Sequence, residues 1–237
     1  MKRMLSLVTG GSRGIGLAIA QELAAKGSDL LLVARSQPNL KRAEGCIKEK
    51  HKANVTLHVC DLSAERNVDA LADFCIRNRM VPDFLVLDAG IFLEGSLVNS
   101  RPEDYRQTME VNLNSIYYLV KQLVPHMRER SKPRIVIIGS TAAFEPYPIG
   151  GLYGVAKWAL RGYAINLRKE LMTQGIGVTF MAPGATWTDL WAGEELPEDR
   201  LLFPKDIGVL VAALVDLSPQ AVVEEIIVRP MLGDMHE

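Results

Sequence analysis

Seven short runs rich in leucine and β-branched residues punctuate the chain, at 5–8, 30–33, 55–59, 84–87, 134–138, 178–181 and 225–228. Several are apolar throughout instead of alternating, the pattern of a strand covered on both faces. Between them, apolar positions recur at helical spacing over about 14–26, 38–50, 64–78, 102–130, 151–173 and 204–217. Ser63 and Ser100 stand near two of the expected starts, and Gly27 and Gly175 where two helices should stop. Pro125 falls inside the longest pattern and should bend that helix, because proline lacks the amide hydrogen and crowds the preceding turn. The alternation predicts an α/β fold: a single doubly wound domain over 1–237, with a seven-stranded parallel sheet between two helix layers and right-handed crossovers. Residues 185–203 are the one long irregular stretch, expected to form a short lid over a binding site.

Composition narrows the class. At 237 residues, 48% hydrophobic and 23% charged, the chain is an ordinary globular domain, which excludes a disordered or collagen-like protein. Lysine plus arginine (27) nearly cancels aspartate plus glutamate (28), which argues against a nucleic-acid or membrane-surface partner and for a small molecule. Cys46, Cys60 and Cys75 are odd in number and lack a Cys-x-x-Cys spacing, so neither a disulfide scaffold nor a metal site is expected. The basic start, Met1-Lys2-Arg3, leads into an apolar run too short for a signal peptide, and no run approaches the ~18 residues of a membrane span. A cytoplasmic, reduced protein is the expectation.

The first strand runs into Thr9-Gly10-Gly11-Ser12-Arg13-Gly14-Ile15-Gly16 and then a helical pattern. Glycines let a backbone turn tightly against a pyrophosphate, and the helix behind presents free amides and the positive end of its dipole. Gly10, Gly14 and Gly16 give Gly-x-x-x-Gly-x-Gly, a relative of the common dinucleotide fingerprint in the same strand-turn-helix context. Such a turn can also exist without a ligand; the context favours a Rossmann-type dinucleotide site. Arg35 lies 19 residues after Gly16, where an NAD site carries an acid for the ribose diol. An arginine cannot accept those hydrogen bonds but can clamp a 2′-phosphate through its planar fork, with Arg13 approaching from the turn. Unless both are simply solvated, NADP(H) is the expected cofactor.

The fifth strand ends at Gly139-Ser140-Thr141, and Tyr153-Gly154-Val155-Ala156-Lys157 follows 13 residues past Ser140. A helix places Tyr153 and Lys157 on one face. A phenol with a pKa near ~10 is a poor proton shuttle at neutral pH, and a nearby ammonium should lower it. Ser140, at the carboxyl end of a parallel strand, can hydrogen-bond a substrate oxygen. A Tyr-x-x-x-Lys pair alone is common on solvated helices, but with the glycine-rich turn and the Ser140 spacing the chain resembles the short-chain dehydrogenase/reductase family over essentially its whole length. Further motifs come in the family's order: Asp61-Leu62, Ala89-Gly90, Asn112, and Pro183-Gly184 followed by Thr186 and Thr188.

The resemblance implies cofactor contacts from the glycine-rich turn (Gly10, Ser12, Arg13, Gly14, Ile15, Gly16), Arg35, Asp61, Leu62, Ala89, Gly90, Tyr153, Lys157, Pro183, Gly184, Thr186 and Thr188. It implies Tyr153 as proton donor in carbonyl reduction, Lys157 lowering its pKa and holding the nicotinamide ribose, Ser140 polarising the carbonyl, and Asn112 supporting a water relay to Lys157. The sequence departs from the family's Asn-Asn-Ala-Gly with Leu87-Asp88-Ala89-Gly90. An ionised Asp88 only accepts hydrogen bonds, which puts the usual bridge from the fourth strand in question and leaves contact with the adenosine ribose as an alternative.

Leu190, Trp191, Leu196, Leu201, Leu202 and Phe203 in the lid, with Phe144, Tyr147 and Ile149, would line a pocket for a hydrophobic carbonyl or else pack in the core or a subunit interface. Glu194, Glu195, Glu198 and Asp199 suggest a solvated, mobile tip. The family resemblance implies a homodimer or homotetramer through the helices 102–130 and 151–173, although the tail lacks the Gly-Gly turn of the 3-oxoacyl reductases. The leading expectation is an NADP(H)-dependent ketone or aldehyde reductase, reversible as an alcohol dehydrogenase. A 3-oxoacyl thioester reductase and a non-catalytic NADP(H)-sensing protein are the alternatives.

Overall fold

The computed structural model describes residues 3–147 and 150–234, so Ile149 and residues 1–2 of the basic start lie outside the described residues. Strands β1 (Leu5–Thr9), β2 (Asp29–Ala34), β3 (Val55–Val59), β4 (Phe84–Leu87), β5 (Arg134–Ile138), β6 (Gly177–Pro183) and β7 (Glu225–Val228) form one parallel sheet. Their order is β3-β2-β1-β4-β5-β6-β7, so the winding reverses between β1 and β4. At that reversal the connections leave in opposite directions and open a crevice beyond the carboxyl ends of the strands.

The uninterrupted apolar runs have their cause in the two-sided burial. Leu7, Leu31, Leu85 and Ile135 pack with helices α3 (Glu65–Arg77), α5 (Ser115–Met127) and α6 (Gly151–Leu171). Their sequence neighbours Val8, Leu32, Val86 and Val136 face the opposite layer, made of α1 (Gly14–Ala25), α2 (Gln37–Lys50) and α7 (Pro204–Ala213). The Asp83 carboxylate ties the start of the central strands to the end of α5, accepting from Leu5 N–H at 2.8 Å and from Arg130 Nε and Nη2 at 2.7 and 2.9 Å.

Two local expectations change. The caps of α3 and α4 (Pro102–Met109) fall on Ala64 and Arg101, neither with a side-chain cap bond, so Ser63 and Ser100 do not cap; Pro102 starts α4, where its missing N–H costs nothing. The long helix runs through Pro125 to Met127, and its irregularity lies earlier, in a π turn over Glu110–Asn114 where Ser115 N–H reaches back to Glu110 O. Side chains occupy carbonyls around this wider turn: Asn112 Nδ2 donates to Thr108 O at 2.9 Å and Ser115 Oγ to Val111 O at 2.7 Å.

The stretch 185–203 is tied to its surroundings at several points. Thr186 bridges Leu202, Trp187 N–H donates to Leu202 O at 2.8 Å, and Trp187 Nε1 donates to Glu198 O at 2.9 Å. Arg200 pins it to the C-terminal segment through Gly233 O and Asp234 O, both at 2.9 Å. Leu201 is buried while Leu190 and Phe203 are exposed, and Glu194, Glu195, Glu198 and Asp199 face solvent as their chemistry requires.

Candidate active site

A cleft of about 930 Å³ lies at the switch point. The expected catalytic and cofactor-contacting residues all border it except Gly16, which is buried just beneath; of the apolar residues expected to line a pocket, Leu190, Trp191 and Tyr147 border it, whereas Phe144, Leu196, Leu201, Leu202 and Phe203 do not. Each glycine of the turn answers a different demand. Gly10 and Gly14 sit at φ 72° and 54°, in the left-handed region that side chains avoid. At Gly16 a Cβ would fall 2.5 Å from Gly10 O, so the helix could not approach the strand. Thr188 Cγ2 would be 3.3 Å from a Cβ on Gly14, which places the lid directly over the turn.

Arg35 stands exposed at the end of β2, and Asp61 lies across from it. The Asp61 carboxyl is held below the usual range chiefly by the Ser63 N–H, with the Arg35 charge adding to this. Arg13 pairs with Asp189 of the lid at the surface. Leu62 is buried beside them, and Ala89 N–H, like Asp88 N–H, is held by Thr9 Oγ1. Beyond β6, Gly184 N–H donates to Val228 O at 2.7 Å and Thr186 Oγ1 to Gly184 O at 2.8 Å, which fixes the Pro183-Gly184 corner.

The ionisable residues converge at the other end of the cleft. Ser140 follows β5; its Oγ accepts from Ala142 N–H at 3.1 Å and hydrogen-bonds the Tyr153 phenol. Lys157, one turn along α6, is buried with Nζ 5.3 Å from the centre of the Tyr153 ring and donates to Ile138 O at 3.2 Å. Asn112 Nδ2 donates to Ile91 O at 3.0 Å as well as to Thr108 O, and Oδ1 accepts from Ile91 N–H at 3.2 Å. Its side chain thus clamps the loop after β4 to the π turn, and both amide hydrogens are committed to that clamp.

Burial dominates the electrostatics. The Tyr153 phenol is pushed up to about 12 by burial and secondarily by the Asp88 charge, with the Ser140 hydrogen bond opposing. The Lys157 ammonium, with Nζ 5.3 Å from the centre of the Tyr153 ring, is not among the charges that set this shift. Burial pushes Lys157 down to about 8 against the pull of Asp88. Asp88 itself is raised to about 7 by burial, opposed by Lys157 and by the Gly16 N–H that it accepts. It accepts from Gly16 N–H of the glycine-rich turn, which joins the end of β4 to the start of α1, and it also borders the cleft.

Sequence reasoning missed Phe92, which meets Tyr153 edge-on at 5.4 Å and 77°, and Asp234 and Gln107, which also border the cleft. Phe92 two residues past the Ala89-Gly90 pair was the available signal; nothing in the pattern places Asp234 beside Gly184, where a Cβ would fall 2.6 Å from its Oδ1. Among the described residues no cluster of histidine, cysteine and acid suits a metal, and no helix is long and apolar enough to cross a membrane.

The family described as short chain dehydrogenase matches residues 5–199. The chain belongs to that family. Among the relatives of this short-chain dehydrogenase is the 3-oxoacyl-(acyl-carrier-protein) reductase of Haemophilus influenzae, 33% identical over 224 residues, covering 90% of this chain and 91% of that protein. An alcohol dehydrogenase from the archaeon Thermococcus sibiricus, solved with 5-hydroxy-NADP, superposes with a TM-score of 0.91 at 26% identity over 100% of both chains. A metagenomic short-chain oxidoreductase solved with NADP gives 0.84 at 30% identity over 96% of this chain and 97% of that one. The chain is accordingly an oxidoreductase with a Rossmann-type sheet.

Proposed function

We propose that this oxidoreductase reduces a ketone or aldehyde to an alcohol, reversibly, with NADP(H) as cofactor and Tyr153 as proton donor. The observation that carries the reading is the joining of Ser140 to the Tyr153 phenol, over the buried Lys157, in the same cleft as the glycine-rich turn. A phenol raised to about 12 is fully protonated at neutral pH, the form a proton donor needs. Ser140 and Tyr153 together offer two hydroxyls to one carbonyl oxygen, and Lys157 keeps a positive charge 5.3 Å from the centre of the Tyr153 ring as the proton leaves.

The protein's own surfaces fit the dinucleotide. Gly10, Gly14 and Gly16 keep the turn bare, Arg35 and Arg13 border its adenosine end, and Thr186 and Thr188 border the other wall. The solved relatives carry NADP or a derivative of it. When bound, the reduced nicotinamide supplies the hydride; the residues above orient the reactants and move the proton. The likeness to the Haemophilus influenzae enzyme supports a second reading, a 3-oxoacyl thioester reductase. A sensor without catalysis fits less well, since a buried Lys157 beside a half-buried Tyr153 is a costly arrangement that a binding protein would not need.

Oxidation of NADPH against a panel of ketones, aldehydes and β-keto thioesters tests the reading and separates the two substrate classes. Tyr153→Phe should lower turnover by about 10²–10⁴-fold while NADPH binding persists. Retained turnover would reject Tyr153 as donor, and binding without turnover on any substrate would favour the sensor. The exposed stripe Val155, Trp158 and Ile165 along α6, with Met172 just past its end and exposed Tyr117 of α5 alongside, supports a homo-oligomer joined through these helices.

A further inference from the structure

Asp88 has no part in the proton path above, yet it is held with care. Its N–H donates to Thr9 Oγ1 at 3.1 Å, at the point where β1 and β4 diverge. Its Oδ2 lies 2.6 Å from where a Cβ on Gly16 would be and 2.9 Å from one on Gly10, and the carboxylate accepts from Gly16 N–H in the first turn of α1. A carboxylate is thus lodged directly beneath the backbone that would receive a pyrophosphate. The charged and titratable groups acting on it are Lys157 and, through mutual repulsion, Tyr153, both from α6. From β1 it meets only the Thr9 hydroxyl, and from α1 the Gly16 amide at the positive helix end.

Two anions on opposite sides of one layer of glycine backbone repel, and in a site of low dielectric the relief is to neutralise the one that can take a proton. The pyrophosphate remains ionised at any working pH, so the proton goes to the carboxylate. We propose that NADP(H) binding is accompanied by uptake of one solvent proton at Asp88, so that cofactor affinity falls as pH rises. The inference rests on the reading of the cleft as an NADP(H) site. Burial already brings this carboxyl to about 7, within reach of such a shift. Below that value Asp88 is protonated before and after binding, and nothing is taken up. Above it, the complex holds a proton that the unbound protein lacks, and affinity falls by up to about tenfold per pH unit until the bound-state value is passed. The same proton removes the charge that raises Tyr153 and supports the Lys157 ammonium.

Calorimetric titration of the full chain with NADPH, in two buffers of different ionisation enthalpy, counts the protons. Near pH ~8 the wild type should take up about one proton more than Asp88→Asn, whose amide oxygen can accept from Gly16 N–H without a charge. The variant should bind at least ~10-fold more tightly than wild type near pH ~8.5 and within about twofold of it near pH ~6. Asp88→Ser, a second neutral acceptor, replaces it should the asparagine protein not fold, and titration of the 2′-phosphate is common to all three and cancels. Equal proton counts and equal pH slopes in wild type and variants would overturn the inference while leaving the cofactor reading intact. Failure of every protein to bind NADPH at any of these pH values would instead overturn the cofactor reading, and this inference with it.

Discussion

Gly139 precedes Ser140 and should not tolerate even one methyl group. A Cβ there would lie 2.0, 2.5 and 2.8 Å from Cζ, Cε2 and Cε1 of Phe180, a ring that is 1% exposed and packed against Phe144 at 6.4 Å. The ring cannot swing outwards, and the Gly139 backbone is held by its N–H to Met181 O at 2.7 Å. Overpacking a dense core costs about 1–3 kcal/mol, and overlap with three ring atoms belongs at the upper end, about 3 kcal/mol for Gly139→Ala. At roughly 2–4 °C per kcal/mol for a chain of this length, the melting temperature should fall by about 6–12 °C. Phe180→Leu removes all three clashing atoms and alone costs about 1–2 kcal/mol of lost burial. The double variant should therefore be no worse than Phe180→Leu, a coupling of about 3 kcal/mol where independent sites would add. Thermal melts and urea titrations of the four proteins measure this cycle. A Gly139→Ala protein melting within about 1 °C of wild type, or strictly additive losses, would refute the steric argument.

Two further outcomes follow from the same geometry. A charge-assisted bond to phosphate is worth about 1.5–3 kcal/mol, so Arg35→Ala should lower kcat/KM for NADPH by about 10–150-fold and leave that for NADH nearly unchanged; equal losses with both would remove Arg35 from phosphate recognition. Trp158→Glu places a charge in the exposed stripe of α6 and should shift the protein to a smaller species by light scattering at unchanged melting cooperativity, whereas an identical mass for both proteins would place the subunit contact elsewhere.

The sheet was legible because both its faces are covered: adjacent residues such as Leu7 and Val8 serve opposite cores, leaving an apolar run and no alternation. The glycine-rich turn and the Tyr153–Lys157 pair were legible because their spacing is local. What escaped depends on contacts between distant parts of the chain. The π turn is fixed by Asn112 reaching Ile91, which leaves no periodic trace, whereas Pro125 is conspicuous and lies in the last turn of its helix. The direction of the Tyr153 shift is set by how deeply the cleft buries the phenol, and a four-residue spacing reports only that Lys157 is near. Asp88 was visible as a departure, but its partner Gly16 could be named only once β4 and β1 were seen side by side.

The π turn has a consequence for how one rod carries two tasks. Each helical residue advances the side chains by about 100°, so the extra residue between α4 and α5 rotates everything after it by about that angle. Gln107, Val111 and Asn112 keep the cleft, while Tyr117 is aimed at solvent on a phase of its own. Loss of one residue from the turn would reset that phase, turning the whole outer half of the helix while leaving every amino acid in it unchanged.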